Sequence, residues 1–323
     1  MNRRWDCRVL CFKPFEALFP WNSLIAKNES IMNPENLSRR NFGIAAAAGA
    51  IASSEFASPS AVAATVVPSA DTKKGRLQQS ACKWCYSKWS LDQMCETAVK
   101  LGLVGIDLLT PSDFPTLKKH KLVCTMVSSH SLTDGLCDEK YHEVALTKLN
   151  EMIEATSTAG FRNVICFSGN ARGIDRKTGL KNCAAALKKI VGVAEKKNVI
   201  LNMELLNSRV NHPDYMCDRS DWGIELVKEV GSNNFKLLFD IYHMQIMEGD
   251  IIRSIRDNHQ YFGHYHTAGN PGRNELNDQQ ELLYPPIARA IAETGFDGYF
   301  AHEFIPKGDP MAGLADAIRQ CIV

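Results

Sequence analysis

Side chains able to bind a metal or transfer protons lie near the ends of four successive apolar segments in the second half of the chain. Glu204 lies in "VILNMELL", Asp240 in "FKLLFDIYH", His266 in "YFGHYHTAG" and Glu303 in "GYFAHEF". Three carboxylates and one imidazole are the oxygen-rich ligands preferred by Mn²⁺, Mg²⁺ or Co²⁺, whereas Zn²⁺ usually takes thiolate or more imidazole. The pattern therefore predicts one divalent-cation site, with zinc the less favoured occupant.

The alternation of side chains supports this set. In an extended strand, residues two apart point to the same face, so Asn202 and Glu204 share one face and Leu201 and Met203 the other. An ionised carboxylate inside an apolar core is costly unless it is paired or bound to a cation. Each residue alone could be a salt-bridged or hydrogen-bonded core residue, but four successive segments carrying such a group indicate a shared cation.

Two further histidines and one arginine lie near the same segments. His264 lies two residues before His266 and is interpreted as support for that ligand. His130 ends the third apolar segment, where it either lines a substrate pocket or stabilises its loop. After His266 the chain continues as "TAGNPGRNE", a turn-rich loop that carries Arg273 over the site. An arginine fork suits a substrate carboxylate, and the alternative is a salt bridge to Glu275 that holds the loop.

Eight apolar segments alternate with amphipathic ones from residue 78 onwards. The predicted strands are 80–86, 105–109, 123–129, 163–169, 199–206, 235–243, 261–269 and 298–304. Helical periods lie between them, for example one with a Ser90–Gln93 capping box and a stop at Gly102. Eight strand–helix units over about 245 residues predict a single (β/α)8 TIM barrel. A doubly wound sheet would usually have a glycine-rich loop after its first strand, and "CKWCYSKWS" has none.

The barrel explains why the polar residues recur where they do. In this architecture, functional groups gather at the carboxyl ends of the strands. The sequence thus predicts that the four candidate ligands converge at one end of the barrel.

The first 77 residues carry export signals and are not predicted to be part of the folded domain. Arg39 and Arg40 precede an Ala-rich apolar run, and an A-x-A pattern ends at Ala63. Residues 32–64 are predicted to be a twin-arginine signal peptide, 65–77 a linker and 78–323 the catalytic barrel. Residues 1–31 are interpreted as an uncertain N-terminal extension. The expected location is periplasmic or secreted, with no membrane attachment after cleavage.

The amino-acid composition argues against some classes of function. The 323 residues include 37 basic and 36 acidic side chains, for a net charge of +1, which provides no electrostatic footprint for nucleic acid. The 11 cysteines are irregularly spaced and are expected to be buried hydrophobes rather than a metal or redox motif. A small-molecule partner is therefore expected, and a homo-oligomer is left open.

Four motifs carry a family resemblance: "MELLN", "FDIYHMQ", "GHYHTAGNPGRNE" and "HEF". With them the chain resembles the xylose isomerase-like barrels, in particular the hydroxypyruvate isomerase branch, across nearly all of residues 78–323. The resemblance implies that one metal is held by Glu204, Asp240, His266 and Glu303. It also implies that Glu204 and Glu303 act as the acid/base pair and that His243 and Arg273 contact substrate oxygens.

The expected reaction is metal-dependent interconversion of a small hydroxy-ketone and hydroxy-aldehyde through an enediolate, such as hydroxypyruvate to tartronate semialdehyde. The branch often has Gln at the strand-seven ligand, whereas His266 is also typical of ketose 3-epimerases, which keeps an epimerase as the alternative. A DNA-repair endonuclease of the same superfamily would need more histidines and a basic groove. A secreted barrel that binds a sugar or an acid without turnover is the remaining alternative.

Overall fold

The computed structural model describes residues 77–323, which form a closed barrel of eight parallel strands paired in sequence order. The strands are β1 Gln78–Cys82, β2 Gly105–Leu109, β3 Val123–Val127, β4 Asn163–Cys166, β5 Ile200–Glu204, β6 Phe235–Asp240, β7 Phe262–Thr267 and β8 Tyr299–His302. The predicted TIM barrel is confirmed. The predicted extension, the predicted signal peptide and nearly all of the predicted linker lie outside the described residues. Of the linker, Leu77 is the one residue that is described, and it is buried.

Helices alternate with the strands. They are α1 Leu91–Leu101, α2 Phe114–Lys119, α3 His142–Ala159, α4 Arg176–Lys197, α5 Ser220–Val230, α6 Ile241–Met247, α7 Ile251–Asn258, α8 Tyr284–Glu293 and α9 Pro310–Gln320. Local sequence sets their ends: Ser90 and Gln93 form the predicted capping box at the start of α1, and Gly102 ends that helix in the left-handed conformation at φ 80°. Within residues 77–323, no helix is both long and apolar enough to span a membrane.

The barrel has a mainly apolar outer face and a mixed interior. Leu201 and Met203 of β5 belong to the large hydrophobic core, while Asn202 and Glu204 on the other face are buried polar residues. A small separate apolar cluster of Met126, Ile165 and Leu238 is also fully buried. The alternation predicted for β5 is thus observed, and it leaves buried polar groups that need partners.

Several predicted strands extend too far at their carboxyl ends. The segment 235–243 stops being a strand at Asp240, because the Asp240 carboxylate caps the new helix α6 by accepting the His243 backbone N–H at 3.1 Å. Likewise, 80–86 ends as a strand at Cys82 and continues as a 3-10 turn over Lys83–Tyr86. Apolar content cannot distinguish the end of a buried strand from the start of a buried helix. The nine cysteines of the described residues are free and buried, as expected.

Candidate active site

The four predicted ligands meet at the carboxyl end of the barrel. Glu204 ends β5, Asp240 ends β6, His266 lies in β7 and Glu303 follows β8. One ligand atom from each lies within 4.8 Å of the others. All four side chains are buried, with residue exposures of 0–5%. These four residues are called the mouth cluster below, and their convergence is the arrangement that the strand-end positions predicted.

The His266 ring lies among the carboxylates of the mouth cluster. Its Nδ1 is 2.8 Å from Glu303 Oε2, 3.3 Å from Glu204 Oε1 and 3.9 Å from Asp240 Oδ2. Nδ1 nevertheless has no partner of hydrogen-bonding geometry among residues 77–323. A buried nitrogen that faces three carboxylates without a hydrogen bond is positioned to share a cation with them.

Neighbouring groups orient two of the carboxylates. Asp240 uses Oδ1 to cap helix α6, which leaves Oδ2 directed towards the cluster. The indole N–H of Trp84 donates to Glu303 Oε1 at 2.7 Å, so that Oε2 faces His266. Each of these carboxylates therefore has one oxygen held by a donor and directs the other towards the centre of the site, where Arg273 also contacts it.

The pKa shifts show how strongly these charges depend on one another. Burial raises the pKa of Asp240 to about 7 and also raises the pKa of Glu204. Burial would likewise raise the pKa of Glu303, but the positive charges of Arg273 and His266 hold it well below its usual value. Of the three carboxylates, Glu303 is thus the one whose neighbours favour the ionised form.

The mouth cluster fits a divalent cation in charge as well as in donor type. An imidazole that binds a metal must be neutral, and with all three carboxylates ionised the guanidinium of Arg273 then leaves two negative charges uncompensated. Two carboxylates at such close range resist ionising together unless a cation lies between them. Mn²⁺, Mg²⁺ or Co²⁺ would supply the missing charge and suit the oxygen-rich donors.

His243 presents a donor to the same site. The backbone N–H of Asn207 donates to Nδ1 of His243 at 3.2 Å, so the ring hydrogen lies on Nε2. That Nε2 is 3.6 Å from Asp240 Oδ2 and has no hydrogen-bond partner among the described residues. Burial and the charge of Arg273 lower the pKa of His243 well below its usual value, which keeps the ring neutral. It is therefore a free N–H donor beside the mouth cluster.

Arg273 reaches over the cluster from the loop after β7. Its guanidinium is 2.5 Å from Glu303 and 3.5 Å from Asp240, and it lies over the rings of Trp84 and Tyr242. Burial would lower the pKa of Arg273, but the neighbouring carboxylates raise it. The loop is tight, because a Cβ on Gly269 would lie 2.3 Å from a backbone oxygen.

The alternative role considered for Arg273, a salt bridge to Glu275, is not observed. Glu275 instead accepts the backbone N–H groups of Lys307 and Gly308 at 2.6 and 2.9 Å. It therefore ties the loop after β7 to the loop after β8, and the guanidinium of Arg273 stays directed at the mouth cluster.

His130 has local partners in its loop. Its Nδ1 is 3.1 Å from the Ser131 carbonyl oxygen, and its Nε2 accepts the Phe167 backbone N–H at 3.2 Å. Burial lowers its pKa to about 4. Because both ring nitrogens are engaged, the structure supports the loop-stabilising alternative, and the substrate contact of His130 stays a prediction.

Two residues of the site were not identified from the sequence. Trp84 donates its indole N–H to Glu303, although no sequence pattern singled it out. Asp107 in β2 is fully buried, and its Oδ2 is 2.9 Å from Nε2 of His266. The sequence feature that could have identified Asp107 is that it is a lone carboxylate within the apolar run "GIDLL".

Sequence comparisons identify several proteins that this chain resembles. A 139-residue alignment with 2-oxo-tetronate isomerase of Cupriavidus necator has 37% identity and covers 43% of this chain and 51% of the relative. The hydroxypyruvate isomerase of Escherichia coli is 24% identical over 232 residues, which cover 68% of this chain and 89% of that protein. The chain spans about half the length of several curated relatives that it matches.

A solved structure and a family profile extend the comparison. The structure described as AP endonuclease, family 2, from Brucella melitensis superposes with a TM-score of 0.67 at 24% identity and covers 76% of this chain and 98% of that one. At this identity the likeness concerns the fold alone. The profile described as Xylose isomerase-like TIM barrel matches residues 115–321, which include the whole mouth cluster. This chain belongs to the xylose isomerase-like TIM barrel family.

Proposed function

We propose that this barrel is a metal-dependent isomerase that interconverts a small hydroxy-ketone and the corresponding hydroxy-aldehyde, with a keto acid such as hydroxypyruvate as the substrate. The observation that supports the proposal is the mouth cluster: three buried carboxylates surround an imidazole nitrogen that lacks a hydrogen bond. Three carboxylates gathered around an imidazole are the oxygen-rich donor set that a divalent cation such as Mn²⁺ prefers. The mouth cluster would hold one divalent cation.

The reaction moves one proton between two adjacent carbons and a second proton between the oxygens that these carbons carry. The cation, when bound, would supply positive charge that stabilises the negative charge developing on the substrate oxygens. Of Glu204 and Glu303, one takes the proton from the first carbon and the other returns a proton to the second. They come from β5 and the end of β8, so they reach the substrate from different sides of the barrel.

Two further residues are proposed to bind the substrate. His243 would donate its free Nε2–H to a substrate oxygen, since Asn207 fixes the ring hydrogen on that nitrogen. Arg273 has a buried Nε without a partner among the described residues, and it would donate to a substrate carboxylate. Two relatives named for isomerases of keto acids support a carboxylate-bearing substrate.

A ketose 3-epimerase is the second candidate, and His266 in the metal set is the observation that favours it. Such an enzyme would use the same cation and acid/base pair but deprotonate a different carbon. Arg273 would then face hydroxyl groups rather than a carboxylate, which a guanidinium fork recognises less specifically.

Reconstituted full-length protein tests both candidates. The metal-depleted chain, with and without added Mn²⁺, is incubated in D₂O with hydroxypyruvate or with a ketohexose, and carbon-bound deuterium is followed by NMR. We expect Mn²⁺-dependent exchange and aldehyde formation from hydroxypyruvate. Exchange at carbon 3 of the ketose alone would support the epimerase, and no Mn²⁺-dependent exchange from either substrate would contradict both.

Export through the twin-arginine pathway is proposed separately, on the basis of Arg39, Arg40 and the Ala-rich run that follows. Replacing both arginines with lysine retains the charge but removes the paired-arginine signal. In a bacterial host we expect the wild-type chain in the periplasmic fraction and the double variant in the cytoplasmic fraction, measured by immunoblot. Equal distribution of the two proteins would contradict export by this route.

A further inference from the structure

A buried carboxylate that takes no part in the proposed proton transfer lies beneath the mouth cluster. Asp107, at the middle of β2, has no solvent exposure. Its Oδ2 lies 2.9 Å from Nε2 of His266 and 3.0 Å from Nε2 of His264. Its Oδ1 accepts the hydroxyl of Thr125 and, at 3.3 Å, that of Ser80. Asp107 is therefore surrounded by donors.

The contact with Asp107 determines which ring nitrogen of His266 carries the hydrogen. An ionised carboxylate can only accept hydrogen bonds, so Nε2 of His266 must donate to Asp107. A neutral imidazole with its hydrogen on Nε2 has its lone pair on Nδ1. Nδ1 is the nitrogen that faces the three carboxylates of the mouth cluster. The contact also limits rotation of the ring, because turning it would break the bond to Asp107.

We propose that Asp107 is a positioning residue that orients His266 and holds its hydrogen on Nε2, and that it thereby sets the affinity of the mouth cluster for a divalent cation. The inference rests on the proposed function, because it takes His266 as a metal ligand. Carboxylates that accept from metal-binding histidines generally act in this way: they fix the tautomer and make the imidazole more basic.

One competing interpretation involves a second ion. Cys82 Sγ lies 4.0 Å from both Asp107 Oδ2 and His266 Nε2, so these three side chains could themselves surround a cation. That ion would occupy the position of the hydrogen on Nε2. The two interpretations differ in stoichiometry: one cation per chain if Asp107 orients His266, and two if Asp107 is a ligand.

Calorimetric titration of the full-length protein with Mn²⁺ tests the inference. An Asp107→Asn variant replaces one carboxylate oxygen with an N–H₂ group, which removes the charge and the second acceptor. We expect one Mn²⁺ per wild-type chain and an affinity about 10- to 100-fold lower in the variant. The matched control is Thr125→Val, which removes a buried hydrogen bond to the other oxygen of Asp107 without changing the contact to His266. It should bind Mn²⁺ with close to wild-type affinity.

Nitrogen-15 NMR of the wild-type chain gives an independent answer if the asparagine variant does not fold. In protein loaded with diamagnetic Mg²⁺, the ring signals that disappear in a His266→Gln variant should report a hydrogen on Nε2 and none on Nδ1. A hydrogen on Nδ1 would overturn the inference.

The calorimetric outcomes separate this inference from the proposed function. Equal Mn²⁺ affinity in wild type and Asp107→Asn, or two bound Mn²⁺ per chain, overturns the positioning role and leaves the isomerase proposal standing. Tight Mn²⁺ binding that depends on Asp107, without any isomerisation, overturns the reaction and supports the positioning role. A wild-type chain that binds no Mn²⁺ overturns both.

Discussion

Glu303 is the residue on which most contacts of the site converge. Trp84 holds one of its carboxylate oxygens, while Arg273 and His266 contact the other at 2.5 and 2.8 Å. The donors Trp84 and Arg273 fix the direction of the carboxylate and favour its ionised form. A side chain that is both a candidate cation ligand and a candidate acid/base is oriented here before substrate arrives.

Glu303→Gln tests the acid/base role. Glutamine has nearly the same shape but can neither accept a proton nor carry charge, so we expect the turnover number kcat for hydroxypyruvate to fall by about 10²- to 10⁴-fold. The rate is measured with saturating Mn²⁺ so that weaker cation binding does not limit it. The control is Glu229→Gln on the exposed surface of α5, where Glu229 pairs with Lys188. Retention of wild-type kcat by Glu303→Gln would exclude the role.

Only part of the site could be predicted at the residue scale. The mouth cluster could be predicted, because a carboxylate or imidazole within an apolar segment requires a partner. Four consecutive segments each carried one such side chain. Trp84 was not, because it lies 219 positions from Glu303 and meets it only when β1 and β8 close the barrel. An exposed tryptophan before a helix has no pattern that indicates such a contact.

Asp240 links the site to the secondary structure at the element scale. The same carboxylate caps helix α6 through the His243 N–H and faces the mouth cluster with its other oxygen. Formation of α6 therefore orients both Asp240 and His243. The local sequence "FDIYH" encodes this unit, with an N-cap aspartate followed three residues later by the histidine.

Comparing Asp240→Asn with Asp240→Ala separates the capping role from the charge. Asparagine caps helices as well as aspartate does, whereas alanine cannot cap, so the alanine variant should be less stable by about 1 kcal/mol in free energy of unfolding. Urea denaturation of the metal-free proteins measures this difference. Asp175, the exposed N-cap of α4, gives the matched pair of substitutions away from the site. Equal stability of the two Asp240 variants would show that the cap contributes nothing.

Element types were predictable, but several of their ends were not. The number and order of strands followed from eight apolar runs separated by amphipathic periods and clear caps such as Ser90. The predicted strand ends were wrong where a buried helix or turn follows the strand directly, as after Asp240 and Cys82, because both neighbouring elements are apolar. These are also the places where the site is built, since the strand ends carry its residues.

At the scale of the whole molecule, the barrel gathers negative charge in its own interior. Three carboxylates of the mouth cluster are nearly inaccessible to solvent, and among residues 77–323 the guanidinium of Arg273 is the permanent positive charge that contacts them. Burying such charge costs free energy unless a cation compensates it. Binding of the proposed cation should therefore stabilise the whole fold.

Thermal unfolding with and without Mn²⁺ measures this stabilisation. At a free Mn²⁺ concentration about 100 times its dissociation constant, binding adds about 2.7 kcal/mol to the free energy of unfolding. For a domain of this size, that corresponds to a rise in Tm of roughly 5–10 °C. Excess EDTA should reverse the rise, and Asp240→Asn should reduce it. An unchanged Tm at every Mn²⁺ concentration would contradict a cation bound to the folded state.

Anomalous diffraction from crystals grown with Mn²⁺ tests the central claim most directly, because it locates the ion. We predict one strong anomalous peak per chain at the carboxyl end of the barrel, at about 2.2 Å from an oxygen of Glu204, Asp240 and Glu303 and from Nδ1 of His266. A peak bound by other residues, or no peak within the mouth cluster at saturating Mn²⁺, would contradict the account.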